Sequence, residues 1–241
     1  MESVVNLSFT PAVGDLPFTP KQRDLLTLAH ELGRDKFAAR ASQWDESASF
    51  PFANYDDLRE AGLLGLCIPE AHGGLGADYA TYMMVAAEIG RFCGATALTY
   101  NMHICSTLWT GMLADGITMT ETQRAEHVRQ RDLHFARVVH DGAIYAQPFS
   151  EGSAAAAGRA PFGTTARKVE GGWRINGRKI FASLSGAANY YGVLCTEDKG
   201  DQHPDAHDTL YIAVPASADG FSISGDWNPL GMRGTVSRNL T

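Results

Sequence analysis

The stretch Ala146-Gln-Pro-Phe-Ser-Glu-Gly-Ser153 decides the fold of this chain, together with a second stretch further along, Lys179-Ile-Phe-Ala-Ser183. Both stretches lie at the ends of predicted strands and finish with a serine. At Gly152 a small turn can bring backbone N–H groups close to negative charge. Each piece is a weak signal alone, but a helical region precedes them and a strand-rich region surrounds them. Their order and spacing predict two strand ends that hold one ligand.

The first 140 residues carry the periodicity of helices. Thr19, Pro20 and Gln22 form a capping box with proline at the first helical position, so a helix should begin there. Further helices are predicted after Asn54, from Asp78, along an apolar seam, and from Thr120. The seam consists of Leu98, Met102, Cys105, Trp109 and Met112.

From Ala143 the pattern changes to that of strands. Strands are predicted over residues 144–146, 164–169, 173–175, 178–182, 190–196, 209–214 and 221–224. Gly171-Gly172 is a tight-turn signal, and Asn176-Gly177 suits a type I′ hairpin. We therefore expect an α+β fold, with an N-terminal all-α helical domain over residues 1–140. An antiparallel β-sheet or barrel-like domain should follow over residues 141–241.

Composition excludes several classes of protein. The net charge of −7 and the scattered basic residues leave no stripe for nucleic acid. No apolar run approaches the ~20 residues of a membrane span, and no signal segment opens the chain, so we expect a cytoplasmic protein. The widely spaced cysteines predict reduced core thiols rather than disulfides or a metal site. His203 and His207 are four residues apart, but Pro204 argues against the helix that a metal would need.

Two further motifs carry a resemblance. Ile68-Pro-Glu-Ala-His-Gly-Gly-Leu-Gly76, just after Gly62-Leu-Leu-Gly-Leu66, is similar to the N-terminal motif of the acyl-CoA dehydrogenase family. Pro229-Leu-Gly-Met-Arg-Gly-Thr235 is similar to the turn that leads to that family's last strands. The resemblance covers nearly the whole chain.

The resemblance implies an FAD-dependent oxidoreductase of fatty acid metabolism. Its substrate would be an acyl-CoA, which loses an α-proton while its β-carbon delivers hydride to flavin N5. Electrons would pass to electron-transfer flavoprotein or another acceptor, and the protein would be a homo-oligomer, either a dimer or a tetramer.

The resemblance also implies the site residues. The cofactor contacts would be Tyr145, Ala146, Gln147, Gly152, Ser153, Phe181, Ala182 and Ser183, with Ser183 near N5. Ser153, Tyr100 and His103 would contact substrate. Plainer interpretations stay open: a helix cap for Ser153, a strand-end serine for Ser183, sheet core for Phe181, and a packing role for His103.

Some positions depart from the family pattern. Ala146-Gln147 stands where Thr-Glu is usual, one extra residue separates Pro148 from Gly152, and Ala154 replaces an acid. The family's catalytic glutamate belongs to a C-terminal helical domain, and Glu70 and Glu151 belong to turns. We therefore assign no catalytic residue and expect this chain to be a fragment of a longer enzyme, or else a naturally short subunit.

Two other functions remain open at this point. One is a flavin-dependent monooxygenase or oxidase built on the same fold, in which reduced flavin meets oxygen. The other is a non-catalytic partner subunit of a heteromeric acyl-CoA dehydrogenase. Bleaching of the flavin by an acyl-CoA without oxygen would indicate a dehydrogenase rather than a monooxygenase or oxidase. Flavin that binds only when a second subunit is present would indicate a non-catalytic partner subunit.

Overall fold

Helices make up the described chain as far as Asp141. The computed structural model describes residues 18–152, 160–200 and 203–241. Helix α1 (Pro20–Leu32) continues through a π-helical turn (Gly33–Phe37) into α2 (Ala38–Glu46), and α3 spans Phe52–Glu60. Then follow α4 (Tyr79–Gly90), α5 (Gly94–Leu108), a second π-helical turn (Trp109–Leu113) and α6 (Glu121–Asp141).

The helix starts follow local capping chemistry. Thr19 and Gln22 exchange side-chain and backbone hydrogen bonds at the start of α1, which confirms the predicted capping box. Asp78 caps α4, as its sequence position predicts. Helix α3 begins before Asn54, so the prediction of its start was wrong. Asp57 then lies mid-helix, where it pairs with Lys36 and Arg40 and ties α3 to the preceding helices.

Helix α5 buries a different side from the predicted seam, and that side includes Tyr100, Ile104 and Leu108. Its buried side carries polar residues, among them Thr96, Thr99, His103 and Ser106. The apolar seam is less buried, with Leu98 exposed and Met102, Cys105 and Trp109 only partly covered. The buried hydroxyls of Thr99 and Ser106 donate to the carbonyls of Ala95 and Met102, which offsets the cost of burying them.

The remaining described chain contains strands joined by turns and irregular segments. They are β1 (Tyr145–Ala146), β2 (Thr165–Val169), β3 (Gly172–Asn176), β4 (Lys179–Ala182), β5 (Tyr190–Glu197), β6 (Thr209–Pro215), β7 (Ile223–Ser224) and β8 (Arg238–Leu240). In the larger sheet β5 is central: β6 pairs with one edge, β1 and β2 pair with the other, and β3 lies outside β2. The smaller sheet has the order β4–β8–β7. The fold is therefore α+β, as expected.

Two details of the strand pairing differ from the expectation. β1 and β2 both run parallel to β5, whereas the other pairs are antiparallel. Parallel pairing needs a long connection, and the residues between these strands provide it. Asn176-Gly177 does not close a hairpin, because β3 and β4 belong to different sheets. Gly177 is needed there for another reason: a Cβ atom would lie 2.4 Å from the Oγ1 of Thr164.

None of the described helices has the length and apolar character needed to cross a membrane. All four cysteines are free thiols, as predicted: Cys67, Cys93, Cys105 and Cys195.

Candidate functional site

The segment after β1 lies against β4, so the two predicted strand ends meet. The backbone N–H of Ile180 donates to the carbonyl of Ser150 over 2.8 Å. Gly152, at φ +75°, turns the chain beside Ile180, whose Cδ1 is 3.6 Å from the position a Cβ would take. Ser153 lies outside the described residues, so its predicted contacts with cofactor and substrate stay predictions.

The β1 residues contribute mainly backbone to this region. The ring of Tyr145 stacks on Tyr190 with 5.0 Å between centroids, and its hydroxyl is hydrogen-bonded to Nδ1 of His134 over 2.8 Å. Ala146 is fully buried, and Gln147 is partly exposed beside the hydroxyl of Tyr211. The side chains of Tyr145 and Ala146 are thus engaged in packing.

The end of β4 presents an aromatic ring to solvent. Phe181 is 64% exposed and meets Trp227 edge to face, with 6.1 Å between centroids. Ala182 between Phe181 and Ser183 is buried, and Ser183 is partly exposed. An exposed phenyl ring beside a serine at a strand end provides an apolar surface next to a polar edge.

Backbone strain is concentrated around the same strand end. Among the described residues, five that are not glycine have positive φ, and four of them lie here. They are Phe181 (+53°), Leu184 (+65°), Met232 (+62°) and Val236 (+43°). Their two segments run side by side, since Leu184 N–H donates to the Thr235 carbonyl over 3.0 Å. Such conformations cost of order 1–3 kcal/mol each and cluster where function requires them.

A row of hydroxyls leads from Ser183 into the protein. The Oγ atoms of Ser183 and Ser237 are 2.8 Å apart, and that of Ser237 is 2.8 Å from Oγ1 of Thr235. Thr235 Oγ1 then donates to the carbonyl of Met232 over 2.9 Å. Sequence analysis did not identify Thr235 or Ser237, since they follow Ser183 by some fifty residues and only the β4–β8 pairing brings them together.

A buried ion pair holds the turn before Gly152. Lys179 Nζ lies 2.6 Å from Oε1 of Glu151, with side chains 3% and 7% exposed. The Glu151 carboxylate also accepts the N–H groups of Gly163 and Thr164. Burial alone would raise the pKa of Glu151, but the hydrogen bonds from Lys179, Thr164 and Gly163 hold it below its usual range. Burial lowers the pKa of Lys179, although Glu151 opposes that shift.

Tyr100 and His103 lie deeper than the resemblance implies. Both side chains are fully buried. Tyr100 donates its hydroxyl to the Leu63 carbonyl over 2.7 Å. His103 accepts the N–H of Tyr145 at Nδ1 over 3.1 Å and bonds the Leu64 carbonyl through Nε2 at 2.9 Å. His103 contacts the backbone of β1 from the buried side, and neither side chain lines an open surface in this structure.

The strand-end site, formed by the turn at Gly152 and by Phe181–Ser183, is exposed in the part of the chain that the structure describes. Two hollows of about 480 and 950 Å³ lie elsewhere, one around β2, β3 and Phe221 and the other between α6 and the larger sheet. Neither is lined by Phe181 or Ser183. Among the described residues, no group of three or more His, Cys, Asp or Glu is arranged to hold a metal ion.

The arrangement suits a flat ring with polar edges and an attached phosphate. Phe181 supplies an apolar face, Ser183 supplies a hydroxyl oxygen, and the turn at Gly152 is exposed and close to β4. Phe181 combines an exposed ring with a positive φ, a conformation that costs of order 1–3 kcal/mol and is enriched at ligand sites. The residues present therefore fit the flavin that the resemblance implies.

Two family models match most of this chain. The model of the acyl-CoA dehydrogenase N-terminal domain matches residues 19–130, and that of the middle domain matches residues 149–241. The acyl-CoA dehydrogenase homologue YdbM of Bacillus subtilis is 31% identical over 216 residues, which cover 87% of this chain and 51% of YdbM. L-evernosamine nitrososynthase of a Micromonospora species is 28% identical over 90% of this chain and 48% of its own length.

A solved structure is also similar to this chain in fold and sequence. KijD3, in complex with FMN and a dTDP-linked amino-keto sugar, is 26% identical, with a TM-score of 0.76. The match covers 93% of this chain and 51% of KijD3. The chain spans about half the length of the curated relatives it matches.

Proposed function

Because the chain belongs to the acyl-CoA dehydrogenase family, we propose that it provides the flavin-binding face of an FAD-dependent acyl-CoA dehydrogenase. The reaction is the α,β-dehydrogenation of an acyl-CoA thioester. Known members of the family are flavin oxidoreductases, and bound FAD would supply the hydride acceptor. The electron acceptor would be electron-transfer flavoprotein or a similar carrier.

One observation carries this proposal: the strained, exposed Phe181 at the end of β4, with Ser183 two residues on. Its phenyl face and the Ser183 oxygen provide an apolar surface and a polar contact for a ring placed against the strand end. Gly152, at positive φ on the neighbouring turn, allows close approach of backbone N–H groups to a phosphate. The proposed cofactor contacts remain Tyr145, Ala146, Gln147, Gly152, Ser153, Phe181, Ala182 and Ser183.

No carboxylate is proposed as the catalytic base. Glu70 pairs with Lys21 on the surface, and Glu151 is bound to Lys179 and two backbone N–H groups. Both carboxylates are engaged in ion pairs within the fold, so neither is assigned to proton abstraction. The chain's part in the reaction is thus to bind and orient the ring and to keep one of its edges in contact with Ser183.

The test uses the full-length product of the gene. We expect the purified protein to carry FAD and its absorbance to bleach when an acyl-CoA is added without oxygen. Phe181→Ala should weaken FAD retention about tenfold, whereas Phe52→Ala, which removes another exposed phenyl ring on α3, should not. Protein that binds no flavin under any condition would refute the proposal and favour a partner-subunit role.

A second candidate is a flavin-dependent monooxygenase, favoured by the similarity to the nitrososynthase and to FMN-bound KijD3. Both candidates use the same flavin face, so the residues above do not separate them. In the monooxygenase case no acyl-CoA bleaches the flavin, and oxygen is consumed only when a separate reductase supplies electrons.

A further inference from the structure

The hydroxyl row behind Ser183 has one possible direction of hydrogen bonding. Three short oxygen–oxygen contacts follow one another: Ser183 to Ser237, Ser237 to Thr235, and Thr235 to the Met232 carbonyl. Each contact at 2.8–2.9 Å requires a proton between its oxygens, and the row contains three hydroxyl protons. A carbonyl can only accept.

The direction of every bond follows from that count. Thr235 must give its proton to Met232, so Ser237 must donate to Thr235, and Ser183 must donate to Ser237. The Ser183 proton is therefore directed into the protein. The Ser183 oxygen is partly exposed, and only its lone pairs remain available to a ligand. Ser183 can therefore act toward a ligand only as a hydrogen-bond acceptor.

We propose that the row Ser183–Ser237–Thr235 fixes Ser183 as a hydrogen-bond acceptor and thereby favours the reduced form of the bound flavin. The inference rests on the proposed function, which puts Ser183 near flavin N5. Two-electron reduction adds two electrons and a proton at N5, so this atom changes from an acceptor into a donor. If Ser183 can only accept, its oxygen repels the N5 lone pair of the oxidised flavin. The same oxygen accepts a hydrogen bond from the N5–H of the reduced flavin.

Ser237 and Thr235 are then positioning residues that act through Ser183. Both are buried, at 6% and 1% exposure, so neither offers a surface to the ligand itself. In Ser237→Ala the Ser183 proton loses its partner and can turn outward to the oxidised ring. In Thr235→Val the Ser237 proton is released, can turn back to Ser183, and frees the Ser183 proton in the same way.

The experiment measures the midpoint potential of the flavin in the full-length protein, by anaerobic titration with dithionite against a reference dye. We expect Ser237→Ala and Thr235→Val each to lower the preference for reduced flavin about tenfold. That change corresponds to a fall of about 30 mV for a two-electron couple. Ser237→Thr keeps the hydroxyl and should restore the wild-type potential, and the exposed Ser222→Ala should leave it unchanged.

The outcomes separate this inference from the proposed function. Flavin bound with the wild-type potential in Ser237→Ala would overturn the inference while leaving the flavin site intact. A potential that falls in Ser237→Ala but also in Ser222→Ala would overturn it as well, since the effect would not belong to the row. If Ser237→Ala does not fold, Thr235→Ser and Thr235→Val form the deciding pair, and equal potentials in those two variants would refute the inference. Absence of flavin from the wild-type protein would instead refute the proposed function.

Discussion

At the scale of single residues, His103 holds two backbone groups at once. Its Nδ1 accepts the N–H of Tyr145, so the ring proton must be on Nε2, which donates to the Leu64 carbonyl. Protonation of His103 at Nδ1 would break the hydrogen bond from the Tyr145 N–H. Burial lowers the pKa of His103 to about 4, and the His134 pKa falls to about 4 as well, through burial and then nearby Arg137.

This depressed pKa predicts how stability depends on pH. In the unfolded chain His103 takes up a proton near its ordinary pKa of about 6.5, whereas in the fold it resists protonation down to about pH 4. The stabilisation is therefore present above pH 6.5 and is lost as the pH falls toward 4. Between pH 7 and pH 5, His103 should account for a loss of about 2 kcal/mol in the free energy of unfolding.

Urea unfolding of His103→Gln at pH 7 and pH 5 checks this expectation. Glutamine offers an acceptor and a donor but does not titrate, so the loss between the two pH values should shrink by about 2 kcal/mol. Tyr100→Phe is the matched control, because it removes a neighbouring bond to the Leu63 carbonyl. It should lower stability by about 1 kcal/mol equally at both pH values. An unchanged pH dependence in His103→Gln would contradict the assignment.

At the residue scale, the predicted site residues come from motifs, and their contacts with a cofactor stay predictions. Phe181 and Ser183 could be selected because they stand in a recognisable stretch after a predicted strand. Thr235 and Ser237 could not, since their contact with Ser183 depends on β8 lying beside β4. The burial of His103 agrees with the packing role that the sequence left open. The burial of Tyr100 was not predicted, because its hydroxyl is bound to the distant Leu63 carbonyl.

At the scale of elements, the Glu151–Lys179 pair joins three segments. It ties the turn after β1 to the start of β4, and the Glu151 carboxylate also accepts the backbone N–H groups of Gly163 and Thr164. Lys179 also donates to the Leu194 carbonyl on β5, which lies in the other sheet. The pair therefore sets the position of Gly152 relative to Phe181.

Removing one partner should be far more harmful than breaking an exposed pair. Glu151→Gln leaves the Lys179 ammonium buried without a counter-charge and should lower the free energy of unfolding by about 3–5 kcal/mol. Glu70→Gln, which breaks the exposed pair with Lys21, should cost less than about 1 kcal/mol. Adding Lys179→Met to Glu151→Gln should recover part of the loss in urea unfolding. Equal costs for Glu151→Gln and Glu70→Gln would disprove the role of burial.

Element-scale prediction was limited by the range of the interactions. Helix starts at Thr19 and Asp78 depend on side chains within one turn, so the local sequence was sufficient. Most strand positions followed from alternation and turn residues, but β8 was not predicted, and neither was the pairing of the strands. Asn176-Gly177 has the composition of a hairpin, yet the chain crosses between sheets there because Thr164 from the preceding loop packs against Gly177.

At the scale of the whole molecule, Arg233 connects the helices to the strand-end site. Its Nε donates to the Asp45 carbonyl over 2.7 Å, its Nη2 lies 2.6 Å from Asp45 Oδ2, and its backbone N–H bonds Oδ1. Asp45 lies near the end of α2, and Arg233 is followed by Thr235 of the hydroxyl row. The position of the turn at Met232–Thr235 thus depends on a contact with α2, which lies far earlier in the chain.

Arg233→Ala should consequently affect both stability and the flavin site. The pair is partly exposed, so the direct loss in the free energy of unfolding should be about 1 kcal/mol. Because the strained Met232–Val236 segment would lose its anchor to α2, FAD affinity should fall severalfold, measured by fluorescence titration of the full-length apoprotein. Arg34→Ala breaks an exposed pair with Asp35 in the helical region and should change neither quantity appreciably. Lowered stability with unchanged FAD affinity in Arg233→Ala would show that the helices do not position the site through this contact.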